Sequence, residues 1–209
     1  LMKKILGVVF LYFFFSTNAH SNNIKDFKIE NISIGESALD YFTESQLDNS
    51  ELDWFNYSYK EYSTSLLPGR GIYDWFKITY KNEDYNYIIE GLAGIVVKKN
   101  YEEDKCNKQL DSTALNLSKL FKNTKPEEKK TYRVIYDPSK IFQEPNLSGK
   151  SKLTSIFFDF KQEGKIILSC YDMDKETNEI DSPIKDINQF DTFRIDVRSK
   201  NLLNHLKRY

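Results

Sequence analysis

Ile72-Tyr73-Asp74-Trp75-Phe76-Lys77-Ile78-Thr79-Tyr80 is followed by Lys81-Asn82-Glu83-Asp84, and then by a long run from Tyr85 to Lys98. Phe76, Ile78 and Tyr80 recur at period two, the spacing that puts side chains on one face of a strand. The polar quartet between the runs predicts a hairpin turn. Gly91 and Gly94 in the return strand predict a bulge or a bend. The pattern repeats further along: Lys152 to Lys161 predicts a strand, Gln162-Glu163-Gly164 a turn, and Lys165 to Tyr171 its partner. Two hairpins with apolar residues on alternate positions decide the fold as an antiparallel meander sheet.

Between the hairpins, residues 103–122 predict the best helix of the chain. Cys106, Leu110, Thr113, Ala114, Leu117, Leu120 and Phe121 fall on one face at helical spacing. Glu102, Glu103 and Asp104 near its start and Lys119 and Lys122 near its end match the helix dipole. Upstream, Ser33 and Glu36 have capping-box spacing ahead of a helix expected over Glu36–Phe42, and Thr43 to Gln46 repeats that spacing. Residues 22–31 read as a polar lead-in. Trp54–Tyr62 predicts an aromatic strand, and Pro68-Gly69-Arg70-Gly71 a turn. Thr131–Tyr136 predicts a short strand, 174–189 an acidic loop, and Phe190–Val197 a strand with Phe193, Ile195 and Val197 alternating. Lys200–Arg208 predicts a last helix with Leu202, Leu203 and Leu206 on one face. The expected class is α+β, with helices packed on one face of the sheet. Phe76, Ile78, Tyr80, Lys81 and Glu83 recur 80 residues later as Ile156, Phe158, Phe160, Lys161 and Glu163. Either two similar helix-plus-hairpin halves or two unrelated hairpins on one sheet produce that recurrence.

The N-terminus reads as a secretory leader over residues 1–21. Lys3 and Lys4 precede an apolar run from Ile5 to Phe15, and Ala19-His20-Ser21 offers small residues for cleavage after Ser21, or alternatively after Ala19. An 11-residue run spans about 16 Å as a helix, short of the ~30 Å needed for a retained membrane anchor. Residues 22–209 are then expected to form one domain with no transmembrane segment. Without Lys3 and Lys4 the chain keeps 28 basic against 31 acidic residues. That weakly acidic balance gives no support for nucleic-acid binding.

Export implies an oxidising compartment, in which Cys106 and Cys170 are expected to pair, with two buried free thiols as the alternative. No catalytic constellation emerges. His20 falls in the leader, leaving His205, expected on the surface of the last helix. Gly149-Lys150-Ser151 matches the end of a P-loop, but Glu144 stands where its first glycine belongs. Ser182-Pro183-Ile184-Lys185 has the spacing of penicillin-binding enzymes without their other elements. One histidine and two cysteines do not make a zinc site. Asp172, Asp174, Glu176, Asn178 and Asp181 alternate as calcium ligands would, yet Thr177 and Pro183 occupy positions that need Gly and Glu. No cofactor is expected. Trp54, Tyr57, Tyr59, Tyr73 and Trp75 crowd one third of the chain, and rings on an exposed sheet face would stack on a glycan, a peptide or a protein.

Several phrases together resemble a family of uncharacterised exported proteins from AT-rich marine bacteria: Gly35-Glu36-Ser37-Ala38-Leu39-Asp40-Tyr41-Phe42, the helix ending Leu117-Ser118-Lys119-Leu120-Phe121, Cys170-Tyr171-Asp172, and Arg194-Ile195-Asp196-Val197. That resemblance implies export and paired cysteines, and no activity. Ile32-x-Ile34-Gly35-x-Ser37 is also similar, over a handful of residues, to small helix–strand domains of outer-membrane assembly lipoproteins and β-lactamase inhibitors. Two functions compete at this level. One is a non-catalytic periplasmic or secreted binding module using an aromatic sheet face. The other is a carboxylate-dependent glycan hydrolase, which needs only two acids about 5–10 Å apart.

Overall fold

A computed structural model describes residues 23–52, 61–98, 103–134, 151–172 and 191–207. The expected leader over 1–21 lies outside them. So do most of the expected strand 54–62 and all of the acidic loop 174–189. Seven strands form one antiparallel sheet in the order β1-β2-β3-β7-β6-β5-β4. They are β1 Tyr62–Pro68, β2 Trp75–Lys81, β3 Ile89–Lys98, β4 Lys130–Val134, β5 Ser151–Asp159, β6 Gly164–Asp172 and β7 Asp191–Ser199. Among the described residues three α-helices accompany them: α1 Glu44–Asn49, α2 Glu103–Leu120 and α3 Lys200–Leu206. The α+β class holds. β1 begins where the expected aromatic strand ends, and runs into the turn at Gly69, whose N–H donates to the Asp74 carbonyl at 2.8 Å.

Registers fix two distinct faces. Ile78 opposes Leu92, which opposes Val197, and Ile156 opposes Leu168, which opposes Ile195. Phe76, Ile78, Leu92, Phe193, Ile195, Val197, Ile166, Leu168, Ile156 and Phe158 therefore share one side, and all are buried in a single cluster. We call this the core face. Helix α2 covers its β5–β6 part, burying Cys106, Leu110, Ala114 and Leu117, and Phe121 follows beneath. The N-terminal segment covers the rest. Residues 22–31, expected as a polar lead-in, instead bury Ile24, Phe27 and Ile29, and Ile32 and Ile34 follow them inward. Isolated apolar residues between polar ones carried that burial, with no helical or strand period long enough to announce it.

Two local expectations change. The helix over Glu36–Phe42 shrinks to a 3₁₀ turn at Ala38–Asp40, and Leu39 is exposed. Glu36 does accept the Ser33 N–H at 2.8 Å, but the Ser33 hydroxyl bonds back to Lys25 and Phe27 carbonyls, so no helix starts there. The next pattern succeeds: Thr43 and Gln46 form a full capping box on α1. In β3, the register slips between Thr79↔Gly91 and Tyr80↔Ile89, leaving Glu90 as the extra residue of a bulge. Gly91 and Gly94 serve close approach: added Cβ atoms would come within 2.8 Å of Leu202 and 2.5 Å of the Tyr73 ring.

The halves β1-β2-β3 and β4-β5-β6 each follow a helix on the core face, so their element order repeats. Their hand does not. With β7 between β3 and β6 and every neighbour antiparallel, β1 and β4 point the same way. Seen from the core face, the first meander then advances toward β7 from one side and the second from the other. A tandem duplication would preserve hand. The recurring residues thus reflect two hairpins feeding one core.

Candidate functional site

The second face alternates with the core along every strand. On β7 it receives Thr192, Arg194, Asp196 and Arg198, and on β2 Trp75, Lys77 and Thr79. Lys77 opposes Ala93, which opposes Asp196, so the lysine reaches across a strand occupied by a methyl group. Its Nζ lies 4.0 Å from Asp196 Oδ1. Arg198 Nη2 donates to the same oxygen at 3.4 Å. Arg194 sits two residues along, its guanidinium carbon 4.1 Å from the centroid of the Tyr171 ring and its Nε donating to Thr192 Oγ1 at 3.0 Å. Helix α3 packs on β3, β6 and β7, with Leu202 joining Leu52 and Tyr62 in a small second cluster.

This is a half-buried cluster of three cations around one carboxylate. Asp196 is buried and Lys77 keeps 24% of its side chain exposed. Burial is the largest influence on Asp196 and opposes its charge, yet Arg198, Lys77 and Arg194 together outweigh it and hold the carboxyl below its ordinary value. Burial likewise disfavours the charged form of Lys77. Asp196 restores part of it, Arg198 and Arg194 repel it, and the ammonium falls to about 8. Burial pushes the Tyr171 phenol up, against the pull of Arg194. Lys77 and Arg198 share the Asp196 carboxylate, and Arg194 has an aromatic face and a hydroxyl but no carboxylate partner among the described residues.

The chain matches no family model, no curated protein and no solved structure.

Of the residues singled out from sequence, Cys106 and Cys170 are joined, with Cα atoms 6.0 Å apart, tying α2 to β6 on the core face. Tyr73 is corrected as a ligand-facing ring: it is buried in the core, its ring centroid 5.9 Å from that of Phe76, in the space Gly94 leaves. Trp75 lies half-buried on the second face, in one row with Ile95 and Arg194. Trp54, Tyr57 and Tyr59 lie outside the described residues, as do Gly149-Lys150, Ser182 to Lys185 and the acidic run after Asp172. His205 is not on the surface. It is 3% exposed, packs on Tyr62 with centroids 4.9 Å apart, and holds Nδ1 3.3 Å from Glu61 Oε2. Among the described residues no three His, Cys, Asp or Glu side chains are grouped to hold a metal. The cluster itself escaped sequence reasoning. Its signal was present as Thr192-x-Arg194-x-Asp196-x-Arg198, the polar complement of the apolar alternation read on that strand.

Proposed function

We propose that the protein is an exported, non-catalytic binding module that holds a periplasmic protein, peptide or glycan on its second sheet face. The observation that carries this reading is the half-buried Trp75 indole on the second sheet face, in one cross-strand register with Arg194. Rings of this kind supply large contact area, with polar groups nearby to fix orientation. The Cys106–Cys170 bridge is consistent with an oxidising compartment, and no described helix is long and apolar enough to cross a membrane. A glycan hydrolase would want one carboxyl held upward as a general acid; among the described residues the carboxyls held away from their ordinary range, Glu36, Asp159 and Asp196, are displaced downward.

The test has two arms. Fractionation of cells expressing the full chain should yield protein beginning at Asn22 outside the cytosol. Cytosolic protein retaining Met2 to Phe15 would overturn export. A glycan array and a peptide array, probed with the wild type and W75A, should give binding that W75A weakens. Silence on both arrays, or binding indifferent to W75A, would overturn the binding face.

A further inference from the structure

We draw no further inference here: the strongest candidate, the surface patch of exposed Leu39 and Tyr85 where the 3₁₀ turn meets the β2–β3 connection, is two apolar side chains among the acidic residues Asp40, Glu44 and Asp84, and nothing in the structure shows what covers it.

Discussion

On one side the strands present Phe76, Ile78, Ile195, Val197 and Phe158, all buried. On the other, the same strands present Lys77, Arg194, Asp196, Arg198 and Phe157. Each pair of neighbours in sequence is divided between the two faces. The core face is stabilised by apolar area removed from water, about 25 cal/mol per Å², under a lid of N-terminal segment and α2. The second face carries charge whose desolvation cancels much of its attraction. Apolar packing and the charged cluster are thus separated by a side-chain period of two. A one-residue slip would exchange them wholesale, and for that reason the register is strongly specified.

The sharpest way to break this comparison is to truncate adjacent aromatics. Phe158→Ala should cost about 3–5 kcal/mol, because Phe158 is fully buried and a cavity remains. Phe157→Ala, half-buried on the other face, should cost much less. Equal shifts in denaturant midpoint would show that the faces are misassigned. Next in size is the bridge. Cys106→Ala with Cys170→Ala opens a link across 64 residues, with an expected loss of about 2–4 kcal/mol. Reductant should lower the melting temperature of the wild type and leave that of the double variant unchanged. If it lowers neither, the tie between α2 and β6 contributes nothing to the core face.

The core face was legible because its residues obey one period over long runs. Phe76, Ile78 and Tyr80 announced a strand, and Cys106 to Leu117 announced the helix above β6. Glu36–Phe42 misled, because Ser33 and Glu36 have cap spacing while their bonds close a loop onto Lys25 and Tyr41. The N-terminal lid was illegible for a different reason. Ile24, Phe27 and Ile29 become core only by tertiary contact, and local pattern does not record it. The second face was half legible. Trp75 was noticed as an aromatic, but a charged residue on a strand reads as solvated until register brings Lys77 across Ala93 to Asp196. Tyr73 shows the converse error, since ring counting does not distinguish a core ring from an exposed one.

The two smaller predictions sharpen the charged side. Asp196→Asn removes the one carboxylate that Lys77 and Arg198 share. The expected loss is about 1–3 kcal/mol, since the half-buried Lys77 ammonium loses its carboxylate partner. A stabilised variant would mean that solvent already screens it.

Lys77→Met should shift stability at pH 7 by less than about 1 kcal/mol, because exchanging a partly desolvated charge for apolar volume is nearly neutral. Its signature is instead in pH. The Lys77 ammonium lies at about 8 in the folded protein against 10.5 ordinarily. Between those values the unfolded chain binds more protons, so wild-type stability should rise with pH across that window. Near pH 10 and above the trend reverses. Tyr41 and Tyr87, held up to about 12 chiefly by donating to Glu36 and Glu44, keep their protons in the folded state while the unfolded chain loses them. Melting temperature should therefore climb from pH 7.5, peak near pH 10, and fall. Lys77→Met should erase the climb and spare the fall, because the tyrosines lie outside the charged cluster. A climb that persists in Lys77→Met belongs to another group, and Lys77 would then be an ordinary surface lysine rather than the responsive element of the second face.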